Sequence, residues 1–420
     1  MKRVIHTNSS PPSAKYQSQA IATEFFIFLS GLLATDYKTG LATEAAVAPN
    51  LPFCGPPAMT RQTEYNLNCM GDVLKAAGAD FDDLIRIEQF MIGKDQAPWY
   101  SLARRAIMDR QHPTSTRVCA IGLEVPDALI VTDAIALNPA GGLLKKSHDL
   151  KAVPKSITGY PAAYSAGPFF FLPGLVATDW ETGLAPDARA DANFWIHSPI
   201  KRQTEFILRE MKMCLEEMGL SEKDVVQSSV YLTDMGDLPG LDYVWRSFFP
   251  EDPPARVIFP CDGLGVAGTI VEISFIAIRA DDRFPRQTLS ANSVPEPLFH
   301  EPHAVKVGPY LFLSTQISAD KNGPAAQPNP KLPYYSSQIK NEIEYILKNT
   351  EAICHAAGGS LQDIVRSQSV FLDMADLHPA FEVWREAFPS DPPVNTSAQV
   401  GGPMAVPGCR VTYSLVAYIP

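Results

Sequence analysis

Residues 61–78, RQTEYNLNCMGDVLKAAG, read as an amphipathic helix closed by glycine, and the chain writes that helix twice more. RQTEFILREMKMCLEEMG at 202–219 and NEIEYILKNTEAICHAAG at 341–358 align with it without a gap, from Glu64, Glu205 and Glu344 to Gly78, Gly219 and Gly358. Leu67, Met70, Leu74 and Ala77 recur at +3, +4, +3 spacing, as do Leu208, Met211, Leu215 and Met218. One stripe of each helix therefore faces a core, and the terminal glycine supplies the left-handed residue that ends it.

Upstream of each helix an apolar strand runs into a D-x-x-x-G or D-x-x-G turn. These segments, FFIFLSGLLATDYKTGLA at 25–42, FFFLPGLVATDWETGLA at 169–185 and YLFLSTQISADKNGPA at 310–325, bring Ser30, Pro173 and Ser314 to matching points. Downstream come Asp83, Asp224 and Asp363, then the strand-like runs LIRIEQFMI, VVQSSVYL and IVRSQSVFL. A second, shorter helix follows, clearest in GLDYVWRSFF and AFEVWREAF, and each copy closes with a proline-led strand pair starting at Pro113, Pro254 and Pro393. The unit reads β-β-α-β-α-β-β over about 140 residues, a complete α+β domain rather than a solenoid repeat. Domains are expected at 1–145, 146–287 and 288–420. A sheet with two helices on one face leaves its other face needing cover, and three such units can cover one another, so a ring of three is expected.

Composition narrows the function classes. Of 420 residues 46% are hydrophobic and 19% charged, enough for a buried core in each domain. The net charge of −11 would repel a phosphate backbone, so nucleic acid is not an expected partner. Cys54, Cys69, Cys119, Cys214, Cys261, Cys354 and Cys409 are sparse and odd in number, with no C-x-x-C, which reads as reduced thiols in a cytoplasmic protein. The longest early apolar run, Phe25 to Leu29, is too short for a signal core or a membrane span, so no export and no membrane partner are expected. The 37 prolines fall largely in loop-like stretches such as AVAPNLPFCGPPAM and NGPAAQPNPKLPYY, pointing to long ordered connections. Without a G-x-G-x-x-G or G-x-x-x-x-G-K-[ST], no nucleotide cofactor has a foothold. HEPH, His300 to His303, lacks the helical zinc frame and contains Pro302, so no metal is expected.

The opening TNSSPPSAKYQSQAI followed by FLSG, the L-x-A-A-G helix end, the V-Y-L-T-D-M strand end, and the P-A-R strand followed by V-E-I-S-F-I-A together resemble the reactive intermediate deaminase family, also called the YjgF or Rid family. The resemblance covers nearly the whole chain, three times over. It implies chorismate-mutase-like units with sheets inside, helices outside and a ligand pocket at each of three interfaces, here within one chain: an intramolecular pseudo-trimer, monomeric or a small homo-oligomer. It also implies hydrolysis of a reactive enamine or imine to a ketone or keto acid and ammonia, without a cofactor. The family's arginine in the P-A-R strand clamps the substrate carboxylate, and a carboxylate in the last strand orients water. A guanidinium can grip a carboxylate in two parallel hydrogen bonds at any working pH, and a positioned acid can move a proton.

Carried over residue by residue, the resemblance is uneven. Copy one offers Arg117, Cys119 two residues on and hence on the same strand face, and Asp133 at the acid position. Copy two keeps Arg256 but has Ser274 at the acid position, with Glu272 one pleat earlier as a substitute. Copy three has Asn395 and Ser414, losing both groups. The family's tyrosine matches Tyr16 and Tyr160, while copy three has Phe299, His300 and Glu301 there; the Ser30-Gly31 turn becomes Pro173-Gly174 and Ser314-Thr315.

The best site is expected around Arg117 and Asp133, with a wall from an adjacent copy and the insertions 45–59 and 323–335 on its rim. Cys119 reads as a small buried residue rather than a nucleophile. Arg104, Arg246 and Arg385 recur on the second helix and are assigned no chemistry. The expected function is a hydrolase acting on a small, carboxylated, nitrogen-containing metabolite, specialised because fusion lets each pocket change independently. A non-catalytic small-molecule-binding pseudo-trimer and a chorismatase-like hydrolase on the same scaffold are the alternatives; a ribonuclease is disfavoured by the charge.

Overall fold

The repeated helices form where their patterns put them. The computed structural model describes residues 2–12, 14, 16–47, 55–108, 112–190, 198–326, 331 and 336–420. Its helices are α1 (Ala58–Ala77), α2 (Ala97–Ile107), α3 (Pro199–Glu217), α4 (Leu238–Phe248), α5 (Gln338–Ala356) and α6 (Leu377–Ala387). The expected stripes are buried in α1 and α3, and the glycines beyond the long helices take φ of 86°, 73° and 86° at Gly78, Gly219 and Gly358. Among the described residues no helix is long and apolar enough to cross a membrane. The six described cysteines are free; Cys54 lies outside the described residues.

Strands β1 (Arg3–Ile5), β2 (Ala20–Ala22), β3 (Phe26–Leu32), β4 (Leu84–Ile92), β5 (Thr114–Ala120) and β6 (Ile130–Leu137) form the first sheet, in the order β1-β2-β3-β6-β4-β5. The second, built from β7 (Lys145–His148), β8 (Ala163–Ala166), β9 (Phe169–Val176), β10 (Val225–Leu232), β11 (Ala255–Pro260) and β12 (Val271–Ile278), repeats it as β7-β8-β9-β12-β10-β11. The remaining strands are β13 (Arg286–Leu289), β14 (Ala304–Val307), β15 (Tyr310–Leu313), β16 (Gln316–Ile317), β17 (Ala319–Asp320), β18 (Gly323–Pro324), β19 (Ile364–Phe371), β20 (Val394–Gln399) and β21 (Val411–Tyr418). The third sheet runs β13-β14-β15-β21-β19-β20, with β16 also paired to β21, and β17 and β18 pair only with each other.

Two sequence expectations are corrected. Each unit has an additional leading strand, β1, β7 or β13, so the first two run β-β-β-α-β-α-β-β, and the third adds the short β16, β17 and β18 before α5. The closing strands do not pair with each other: β4, β10 and β19 lie between them, parallel to the proline-led strand and antiparallel to the last. A helix crosses over between the two parallel strands, as parallel pairing requires.

Each helix pair covers one face of its own sheet. The opposite faces meet in clusters that draw on all three sheets. Phe26, Phe169 and Tyr310 form a triangle with ring centroids 5.1, 5.4 and 5.7 Å apart, one ring from each sheet. Such contacts are worth about 0.5–1.5 kcal/mol per pair beyond the area they bury. At the rims the outer strand of each sheet lies on a strand of another: β5 on β9, β11 on β15 and β20 on β3.

Candidate active site

These three strand contacts are chemically different seams. On β3 and β15 a serine hydroxyl receives the N–H of the incoming strand: Asn395 donates to Ser30 Oγ at 3.0 Å and Arg256 to Ser314 Oγ at 3.2 Å. Pro173 stands at that point of β9 and has no hydroxyl. There the Arg117 N–H donates to Glu272 Oε1, at 3.4 Å. Glu272, on β12, can reach because the β9–β12 ladder shifts register between Ile273 and Phe275, leaving Pro173 and Gly174 outside it. Gly174 supplies the space: a Cβ there would collide with the Glu272 carboxylate.

Arg117 and Glu272 face a cavity of about 350 Å³, bounded on one side by α2 and β5 and on the other by the second sheet. Ser115, Tyr160, Val176 and Trp180 line it with them. Gly265 passes so near Arg117 that a Cβ would stand 2.9 Å from Nη2. Glu272 is 5% exposed, and burial pushes its carboxyl up to about 7, a rise that Arg117 only partly opposes. Among the described residues no carboxylate lies within ion-pair distance of Arg117. An uncommitted guanidinium thus faces an acid poised near neutrality across an open space. A second cavity, about 450 Å³, shares the wall of Tyr160, Gly174, Val176 and Trp180 and reaches α3, where buried Glu210 has its carboxyl raised to about 8 by desolvation.

The other seams are closed. Arg256 is fully buried, with Nε donating to Glu301 Oε2 at 3.0 Å, Nη2 to Asp242 Oδ1 at 2.6 Å, and its face 4.7 Å from the Trp245 ring. Ile21, Tyr164 and Val305 pair with Phe28, Phe171 and Phe312, so Glu301 stands where the second unit has Tyr160 and the first has Gln17. An acid of the chain itself occupies the Arg256 fork. At the third seam Asn395 exchanges hydrogen bonds with Ser367 and Ser397, and Ser414 is buried opposite Gln368. Tyr16 donates to Glu124 Oε2 at 2.8 Å and stacks on Phe381 at 3.8 Å, so Tyr16, Ser30 and Gly31 belong to this seam and not to the Arg117 cavity.

The expected partnership of Arg117 with Asp133 is corrected. Asp133 lies opposite Glu88 in the β4–β6 register and accepts from Arg366 Nη2 at 3.1 Å, Gln368 Nε2 at 2.9 Å and Thr396 Oγ1 at 2.6 Å. Glu88 shares the same Arg366 nitrogen. Asp133 therefore fastens the first sheet to the third; burial raises its carboxyl despite Arg366. The pairing of Glu272 with Arg256 is corrected likewise, since Glu272 meets Arg117 of the preceding unit. Ser274 is buried opposite Ser229, its hydroxyl unpartnered. Cys119 is buried, with its N–H donating to Gly263 O and its thiol raised by desolvation, and it does not line the cavity.

Sequence reading matched the Pro173-Gly174 turn to Ser30-Gly31 without giving Gly174 a role at the site, missed Trp180, and shifted the second helix by one residue. The N–H groups of Met108, Phe249 and Phe388 cap their helices on Arg104, Trp245 and Trp384 O, so Arg105, not Arg104, matches Arg246 and Arg385. Arg104 lines the cavity. His300 and His303 are spent on the main-chain oxygens of Phe249 and Pro295, and the described residues contain no group of three metal-binding side chains. Much of the insertions 45–59 and 323–335 lies outside the described residues.

The family model for endoribonuclease L-PSP matches residues 150–279 and again 294–418. A RutC family protein of Pyrococcus abyssi is 36% identical over 104 residues, 25% of this chain and 74% of the relative. One from Pyrococcus horikoshii is 34% identical over 126 residues, 30% of this chain and 91% of the relative. The crystal structure of RidA from an Antarctic Psychrobacter is 27% identical, covering 32% of this chain and 98% of its own, with a TM-score of 0.27. With its matches falling in two successive sheets and their helices, the chain belongs to the endoribonuclease L-PSP family, the Rid and RutC proteins among them.

Proposed function

We propose that the chain is an intramolecular pseudo-trimer of three units, meeting near residues 145 and 287, and that its working pocket lies between the first and second. There it hydrolyses a small carboxylated imine or enamine. The observation that carries this reading is that Arg117, whose guanidinium makes no ion pair among the described residues, lines one open cavity with Glu272. Arg117 would hold the substrate carboxylate in its planar fork. Glu272, ionised, would take a proton from water as the oxygen bonds to the imine carbon and the C=N electron pair passes to nitrogen. With the imine nitrogen protonated at the outset this leaves a neutral carbinolamine. The same carboxyl then returns its proton to nitrogen, and as the C–N bond breaks the carbinol hydroxyl gives its own proton back to the Glu272 carboxylate, releasing ammonia and leaving the carbonyl. A group titrating near neutrality can serve in both directions. The closed seams at Arg256 and Asn395 support one working site per chain.

The test is ammonia release from imines generated in situ from a panel of amino acids. Arg117→Met should lower kcat/KM by more than about tenfold, the scale of a lost buried charge partner. Asn395→Ala should leave it unchanged. Equal losses at both positions in folded protein would overturn the assignment.

A further inference from the structure

Arg104 is a second cation in the same cavity, and the chain does not neutralise it. It is 1% exposed; its Nη2 donates to Thr158 O at 3.1 Å and its guanidinium carbon lies 5.6 Å from the Tyr100 ring centroid. Its Nε has no hydrogen-bond partner, and no carboxylate stands within ion-pair distance among the described residues. A buried charge is ordinarily paired, because desolvating it alone costs several kcal/mol. The corresponding places on α4 and α6 hold Trp245 and Trp384, both fully buried. Arginine replaces the aromatic ring only at the seam where the cavity is open. With Arg117 it makes two uncompensated guanidinium groups facing one space, and Glu272, raised to about 7, offsets them only in part.

We propose that this pocket takes a dianion: Arg117 holds the carboxylate beside the reacting nitrogen, and Arg104 holds a second acidic group, carboxylate or phosphate, at the far end of the substrate. This rests on the carboxylate reading of Arg117 and narrows it from acids in general to diacids.

Calorimetric titration of the full chain with 2-oxoglutarate, phosphoglycolate and 2-oxobutyrate tests it at one pH and salt concentration. One of the two doubly acidic ligands, the dianion 2-oxoglutarate or phosphoglycolate, whose phosphate carries close to a further charge near neutrality, should bind at least about tenfold tighter than the monoanion. 2-Oxoglutarate winning despite its lower charge identifies the second group as a carboxylate, and phosphoglycolate winning points to a phosphate. Arg104→Trp, which installs the residue of the other two units, should collapse that ratio to about one, whereas Arg117→Met should weaken dianion and monoanion alike. Arg104→Gln, checked for an unchanged melting temperature, gives the same reading should the tryptophan disturb packing. Doubly acidic ligands binding no tighter than 2-oxobutyrate, or an affinity ratio that survives loss of Arg104, overturns the proposal. Indifference of every ligand to Arg117→Met overturns the parent reading instead, and the Arg104 ratio then stands or falls by itself.

Discussion

Burying a carboxyl group as Glu272 is buried sets stability against chemistry, and the two can be measured separately. Its pKa is about 7 in the folded chain against an ordinary 4.5. Across that window the folded state holds a proton that the unfolded state releases, so stability falls as pH rises through it and stays lower above it. Glu272→Gln removes the effect: the variant should melt above the parent at pH 8 and with it at pH 4. Its turnover should fall by about 10²-fold, and the parent's kcat/KM should rise with pH through about 7 as the carboxylate form appears. Asp133→Asn should do the opposite. It weakens an acceptor shared by three donors, at a stability cost of roughly 1–3 kcal/mol, while turnover of the folded fraction holds. Turnover lost at Asp133 and kept at Glu272 would reverse the two roles.

β3 and β9 share a bulge, and what sets β9 apart is the acid that Gly174 leaves room for; its cheapest probe is Gly174→Ala. Gly174 has no positive φ, so alanine costs little in backbone strain; what it does is push the Glu272 carboxyl out of line. Activity should drop by about tenfold or more, on the scale of a misplaced general base, with the melting temperature little changed. A variant that stays fully active would mean that Glu272 is not held by this wall. The sequence made the helices, the buried strands and the threefold repeat legible, because each carries a local period that survives folding. The leading strands were not legible: Lys145–His148, for example, is KKSH, held by main-chain pairing with β8 and not by an apolar face. Nor did the repeats reveal which acid meets which arginine. Arg117 and Glu272 are brought together by the closure of one sheet on another, a contact without any signature at fixed spacing. The doublet Arg104-Arg105 left the helix register ambiguous by one residue, and with it the cavity's second cation.

For the molecule as a whole, linking the three units turns assembly into docking at high effective concentration. Light scattering should give the mass of one chain, 45.9 kDa, with specific activity independent of dilution. A mass of three chains, with activity that falls on dilution, would overturn the intramolecular reading. The three seams also repeat one main-chain amide in different company. Those of Asn395 and Arg256 give their protons to hydroxyls, which keep the same charge through the neutral range, whereas that of Arg117 gives its proton to a carboxyl that does not. In a pH series of amide NMR spectra, the Arg117 resonance should therefore trace a titration curve with its midpoint near 7 that disappears in Glu272→Gln, whereas curves at Arg256 and Asn395, whose seams hold Glu301 and Glu124 raised to about 7 as well, should survive that substitution. One backbone nucleus in the chain becomes a spectroscopic meter of the acid's charge, readable with the pocket empty and again with it filled.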